Sequence, residues 1–123
     1  MAKKRRYFNG LTELMVLACL TKKTCYGYEI ADAININFDN KYKVNQNTIY
    51  TVLYSLRDRK LIEEYNITVG RKRERVYYTI LPEGVKCFEK YLMEYRDCTE
   101  SVENVLLNVM SYKFIKMLAN ISI

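Results

Sequence analysis

Two changes in the spacing of apolar residues divide this chain of 123 residues and leave few folds open to it. Up to about residue 60 apolar residues recur at helical intervals. Residues 61–80 are instead rich in β-branched side chains and Tyr. From Pro82 onward the helical interval returns and persists. A helical block, a short β element and a long helix, in that order, describe a mainly α fold with a small antiparallel β-hairpin. Half of the residues are hydrophobic, with one Pro and four Gly, so the chain can bury a core and does not read as disordered or low-complexity.

Within the first block, Leu11, Leu14, Met15, Leu17, Ala18 and Leu20 mark a helix behind an Asn9-Gly10 break, ending near Lys22-Lys23. Thr24 reads as the N-cap of a second helix, with Tyr28, Ile30, Ala31 and Ile34 as its buried stripe. Residues 35–43, rich in Asn and Asp, form the exit turn. Asn45 is the candidate N-cap of a third helix, in which Ile49, Val52, Leu53 and Leu56 make one apolar face. The opposite face carries Asn47, Thr51, Tyr54 and Asp58, flanked by Tyr50 and Ser55. A merely solvated face is usually rich in Lys and Glu. This one is polar and nearly uncharged, which suits hydrogen bonding to base edges and phosphates.

Residues 61–68 and 74–80 read as two strands of a hairpin whose tip, Val69-Gly70-Arg71-Lys72-Arg73, is strongly basic. Tyr77 and Tyr78 fall on opposite faces of the second strand, so one of them belongs to the core. Three helices followed by a basic hairpin is the order of a winged helix-turn-helix.

Pro82 occupies a position that tolerates the first residue of a helix. Beyond it Val85, Phe88, Leu92, Tyr95, Thr99, Val102, Leu106 and Val109 alternate steps of three and four, with the charged residues on other faces. Such a stripe packs against another helix. A chain this short has too few other helices to cover it, so Phe88, Leu92, Tyr95, Val102, Leu106 and Val109 are the expected dimerisation residues. The tail residues Tyr112, Phe114, Ile115, Met117, Leu118, Ile121 and Ile123 are too apolar to hang free in water, and are expected to fold back or join that interface. The reading is thus of a DNA-binding domain over residues 1–81 and a helical dimerisation arm over residues 82–123.

Charge supports that division. Residues 1–81 hold 15 Lys and Arg against 8 Asp and Glu, whereas residues 82–123 hold 5 against 6. A basic module joined to a near-neutral one is expected to meet a polyanion through the first, although charge alone does not separate DNA from RNA or an acidic protein. Arg71, Lys72, Arg73 and Arg75 would neutralise phosphates and release counterions. The Lys3-Lys4-Arg5-Arg6 segment has two readings of equal weight, a phosphate or minor-groove arm and a solubilising tail.

The sequence contains no His, removing the commonest general base and metal ligand, and shows no GxxxxGK[ST], GxGxxG or GxSxG motif. No catalysis, metal or cofactor is therefore expected. No apolar run approaches the ~20 residues of a membrane span, and the basic start lacks the apolar region of a secretory signal. The four cysteines have no CxxC spacing and read as reduced, packed thiols of a cytoplasmic protein. Cys87 and Cys98, on the arm, have no basic cluster to activate them in the sequence, which favours packing over redox sensing.

Five segments at ordered spacing carry a further resemblance: Cys25-Tyr26-Gly27-Tyr28-Glu29-Ile30, Asn47-Thr48-Ile49-Tyr50, Leu53-Tyr54-Ser55-Leu56, Lys60-Leu61-Ile62-Glu63 and Arg75-Val76-Tyr77-Tyr78-Thr79-Ile80-Leu81-Pro82-Glu83-Gly84. Over roughly residues 11–84 the chain resembles the PadR family of bacterial transcriptional regulators. The resemblance implies a homodimeric winged-helix repressor on a pseudo-palindromic double-stranded DNA operator, with its third helix in the major groove. It further implies release by a small hydrophobic or phenolic effector near the dimer interface. Carried over by position, Tyr26, Thr48 and Tyr50 are expected DNA contacts, with Arg73 and Arg75 on or beside the wing; the helix face adds Asn47, Thr51 and Tyr54. The chain departs from the family in having Thr51 where Pro is usual, adding a hydroxyl and an amide N–H. It also has Ile80-Leu81 where Leu-Thr is usual, removing an N-cap worth ~1 kcal/mol. Two other classes compete with this reading: a winged-helix adaptor that binds an acidic protein, and a plasmid or phage replication initiator.

Overall fold

The computed structural model describes the backbone of residues 2–121 and the side chains of residues 10–120. The side chains of Lys3-Lys4-Arg5-Arg6, and of Ile121 and Ile123, lie outside the described residues. The elements are α1 (Ala2–Lys22), β1 (Cys25–Tyr26), α2 (Gly27–Asn37), α3 (Gln46–Asp58), β2 (Ile62–Val69), β3 (Arg73–Ile80), α4 (Pro82–Val109) and α5 (Tyr112–Ile121). The chain divides into two compact units, one ending at Tyr91 and the other beginning at Leu92, within α4.

In the first unit Val16 and Leu17 of α1, Ile30 of α2, Ile49, Leu53 and Leu56 of α3, Ile62 of β2 and Tyr78 of β3 are essentially inaccessible to solvent. Burying each such side chain contributes about 1.5–3 kcal/mol, and Cys87, Phe88 and Tyr91 from the first turns of α4 pack on the same core. All four residues expected on the apolar face of α3 are buried. In α1 the stripe runs through Val16, while Ala18 is exposed. Nor does Asn9-Gly10 interrupt that helix: a glycine within a helix costs only about 1 kcal/mol.

The sheet has three strands in the order β1-β3-β2, all antiparallel, where the sequence showed only a hairpin. Cys25 and Tyr26 are extended and pair with Tyr78 and Tyr77. The N-cap of α2 is consequently Tyr26 and not Thr24. Its amide N–H donates to Glu29 Oε1 at 3.2 Å. With α2 starting at Gly27, Tyr28 lies some 200° around the helix from Ile30, and it is 55% exposed where the core was expected. Strand alternation puts Cys25, Tyr78, Glu64, Ile62 and Ile80 on the inner face, and Tyr26, Tyr77 and Tyr65 together on the outer one.

Both ends of α3 are closed by local bonds. Asn45 Oδ1 accepts from the Asn47 and Thr48 amides at 2.7 and 3.4 Å, the expected N-cap. At the other end the Leu61 N–H reaches the Leu56 carbonyl (3.0 Å) and the Lys60 N–H the Arg57 carbonyl (2.9 Å). Lys60 has φ +60°, so it stands in the left-handed position that such a helix end usually gives to glycine. Arg59, the C-cap, joins three elements: it donates to Glu13 Oε1 of α1 at 2.8 Å and to the Tyr91 hydroxyl of α4 at 3.2 Å. Burial pushes the Tyr91 hydroxyl up to about 12.

Pro82 is the first residue of α4, as expected. A β-carbon on Gly84 would fall on the Leu61 carbonyl oxygen and stand 2.8 Å from Ile80 Cγ1, so only glycine lets α4 start this close to the α3–β2 junction. In the second unit, Ser111 Oγ accepts from the Phe114 amide at 3.2 Å and caps α5. Tyr95, Val102, Leu106 and Val109 of the α4 stripe are exposed, Val109 to 73%, and so are Met93, Val105 and Leu107 beside it. Cys98 is exposed as well, which departs from a packed thiol; Cys25 is buried, and Cys19 and Cys87 are half-buried.

Candidate nucleic-acid interface

The outward face of α3 follows from its inward one. With Ile49, Val52, Leu53 and Leu56 committed to the core, Asn47, Thr48, Thr51, Tyr54 and Ser55 are left in solvent. Five of these and neighbouring side chains, Asn47, Thr48, Thr51, Val52 and Ser55, together with Glu13 of α1, line an open groove of about 370 Å³. The Thr51 hydroxyl donates back to the Asn47 carbonyl at 2.9 Å. That leaves its lone pairs, and not its proton, for a groove ligand.

Tyr50 is half-buried and leans on the start of α2: a β-carbon on Gly27 would come within 2.6 Å of its ring. Its centroid is 6.1 Å from that of Tyr54. On the far side of Tyr54 lies Arg57, 5.0 Å above the ring. Arg57 is consumed locally, by Asp58 at 3.1 Å and Glu64 at 3.2 Å. The cation on α3 nearest these tyrosines is thus already neutralised, and the face presents hydroxyls and amides.

Arg71, Lys72 and Arg73 are exposed at the tip of the hairpin, where Gly70 and Lys72 both have φ +64° and turn the chain back in three residues. Arg73 belongs to β3, not to the turn. Arg75 is not at the tip. It is half-buried two residues into β3, opposite Ile67 of β2, with its guanidinium carbon 4.1 Å above the ring of Tyr26. A hydrogen bond with the Tyr77 side chain raises its pKa further above the ordinary arginine value.

Tyr26 therefore sits at a junction, with Tyr28 stacked at 6.5 Å, Tyr77 edge-on at 5.5 Å and Arg75 on its face. Beyond Tyr77, Tyr65 stacks at 6.2 Å. Glu29, just below, spends its two oxygens on the Tyr26 amide and on Lys23 Nζ at 2.9 Å. Burial alone would push its carboxyl up, but these partners outweigh it and hold the group below its ordinary value.

The structure therefore brings together Asn47, Thr48 and Thr51 along one groove, and Tyr50 with Tyr54 beside the start of α2. Arg71, Lys72 and Arg73 stand at the tip of the wing, and Arg75, also on the wing, lies over Tyr26. Sequence reading missed Tyr65 and Tyr77 as members of this outer face, because their alignment with Tyr26 depends on β1, a two-residue strand with no periodicity to detect. Phe88 and Leu92 are half-buried and the rest of the arm set is exposed. Among the described residues no cluster of three or more His, Cys, Asp or Glu is placed to hold a metal, and no helix is long and apolar enough to cross a membrane.

Comparison with known proteins matches residues 16–90 to the transcriptional regulator PadR-like family. A transcriptional regulator from Clostridium thermocellum is 28% identical, with a TM-score of 0.72, over 80% of this chain and 92% of that one. A PadR family transcription regulator from hypervirulent Clostridium difficile R20291 is 26% identical, with a TM-score of 0.64, over 77% of this chain and 97% of the other. PadR from Bacillus subtilis, solved in complex with operator DNA, shares the fold at 24% identity and a TM-score of 0.60, over 65% of this chain and 45% of its own.

Proposed function

This chain belongs to the PadR-like family of DNA-binding transcriptional regulators, and from that premise we propose that it is a repressor that binds a pseudo-palindromic operator as a homodimer. The observation that carries the proposal is the outward face of α3: Asn47, Thr48 and Thr51 stand in solvent opposite four buried residues, with Tyr50 and Tyr54 beside them. In this reading they reach base edges and flanking phosphates in the major groove. Tyr26 supports them from the N-cap of α2, and Arg71, Lys72, Arg73 and Arg75 supply affinity through phosphates.

Residues 1–81 bind DNA in this reading, and residues 82–123 pair with a second copy. The support for pairing is the apolar stripe of α4. Tyr95, Val102, Leu106 and Val109 are exposed in a single chain, an uncovered apolar run of the kind that marks an interface. A dimer then sets two α3 helices about one helical turn of DNA apart. The same apolar arm is where a small hydrophobic or phenolic effector would bind and release the operator.

The test is a gel shift of the duplex upstream of the chain's own gene against random duplex, at two salt concentrations. The upstream duplex is expected to bind far more tightly, and equal affinity for both overturns the operator. Replacing Arg71, Lys72 and Arg73 together with Ala is expected to weaken binding to both duplexes and to flatten the salt slope by about three, at ~0.9 per phosphate contact. A protein adaptor would show no such effect. Sedimentation of the full chain is expected to give twice the monomer mass.

A further inference from the structure

The cations of the first unit fall into distinct electrostatic states. Arg57 is neutralised by Asp58 and Glu64, and Arg59 by Glu13. The tip cations Arg71, Lys72 and Arg73 stand in solvent with no partner among the described residues. Arg75 is different again: it is half-buried and ordered, yet makes no ion pair among the described residues, and rings hold it in place of carboxylates.

We propose that Tyr26 and Tyr77 are positioning residues that hold the Arg75 guanidinium on the second strand of the wing as a preformed ligand for one phosphodiester of the DNA backbone, with Tyr65 bracing Tyr77 from behind. This rests on the reading of Arg75 as a DNA contact. The geometry carries it in three steps. Tyr26, Tyr77 and Tyr65 are register partners across β1, β3 and β2, so their rings form one ladder on the outer face. The guanidinium carbon stands 4.1 Å above the ring of Tyr26, well inside the ~6 Å range of a cation–π contact. Finally, Tyr77 follows Arg75 by two residues on β3 and shares its face, so its hydroxyl can take one hydrogen bond from a group with five N–H donors, leaving the others for phosphate oxygens.

A carboxylate in place of the rings would fix the arginine equally well but cancel its charge. Glu29, whose carboxylate acts on Arg75 through space, is already engaged by Lys23 and the Tyr26 amide. A cation fixed by aromatic faces keeps its full charge and has little freedom left to lose on binding.

The test is a double-mutant cycle on the full chain, read by fluorescence anisotropy on the upstream duplex and, at low salt, on random duplex. Phosphate contacts are independent of sequence, so the cycle reads the clamp on random duplex even if the operator proposal fails; that failure shows separately, as equal affinity for the two duplexes. Arg75→Ala is expected to flatten the salt slope by about one. Tyr77→Phe is expected to weaken binding roughly fivefold, the scale of one hydrogen bond, and to do nothing further in the Arg75→Ala background. Tyr26→Phe is expected to bind more tightly than Tyr26→Leu, again only while Arg75 is present.

In the free protein, the Arg75 Nε–Hε proton is expected upfield of other arginines by the ring current of Tyr26, and Tyr26→Leu is expected to abolish that displacement. Thermal unfolding of each variant separates loss of the clamp from loss of the fold. The proposal is overturned if Tyr77→Phe weakens binding equally with and without Arg75. It is also overturned if Arg75→Ala leaves affinity and slope unchanged while the triple wing variant lowers both, an outcome that spares the DNA-binding reading.

Discussion

The ring of Tyr50 lies so close to Gly27 that a β-carbon there would stand 2.6 Å from its Cε1 and Cζ atoms. One side chain of the proposed reading helix thus takes its position from the backbone of α2. Gly27→Ala is expected to push the ring aside, because the obstacle is the free end of a side chain. Overpacking costs about 1–3 kcal/mol, partly offset by roughly 1 kcal/mol of helix propensity, so the urea midpoint should move little. DNA affinity is expected to fall about tenfold, equivalent to ~1.4 kcal/mol. Anisotropy titration beside urea unfolding checks the pair of outcomes.

Gly84→Ala is expected to behave differently. The atom in the way is the Leu61 carbonyl oxygen, part of the backbone, and backbone does not swing aside. A loss of about 2–4 kcal/mol is expected, read as a lower urea midpoint at an unchanged m-value.

Lys60 is a site of gain. Its φ of +60° costs a side-chain-bearing residue roughly 1 kcal/mol that glycine does not pay. Lys60→Gly is expected to raise stability by about 0.5–1 kcal/mol. Lys60→Ala, which keeps the β-carbon, should give no gain in the same urea experiment.

Tyr78 gives the fold a dependence on alkaline pH. Burial pushes its hydroxyl up to about 12 from an ordinary value of 10. The fold therefore favours the protonated form. Its contribution is fully present below pH 10 and is lost as pH rises through 12, because the unfolded chain ionises first. A shift of that size corresponds to about 2–3 kcal/mol. Tyr78→Phe is expected to flatten the fall in urea midpoint between pH 10 and 12; an unchanged fall would assign it to other groups.

Much of this architecture was legible in the spacing of side chains. Ile49, Val52, Leu53 and Leu56 gave away α3 and its polar back because four residues at helical intervals admit one buried face. Asn45 and Pro82 marked the starts of α3 and α4 through local chemistry alone. What escaped was decided by partners remote in the chain. Cys25 and Tyr26 are strand only because Tyr77 and Tyr78 pair with them, and that strand displaces the start of α2 and turns Tyr28 outward. The same pairing brings Tyr26 beneath Arg75 of the wing. The fates of Arg57 and Arg59 were hidden for a like reason: Glu64 and Glu13 meet them only in the folded chain.

Arg59 carries a genetic consequence. Because its one guanidinium holds Glu13, Tyr91 and the last turn of α3 in register, alleles that blind the regulator need not map to surfaces that touch DNA. Losing any of the three side chains frees the end of the reading helix from its anchorage, so a selection for escaped regulation should recover positions 13 and 91 alongside those of the groove.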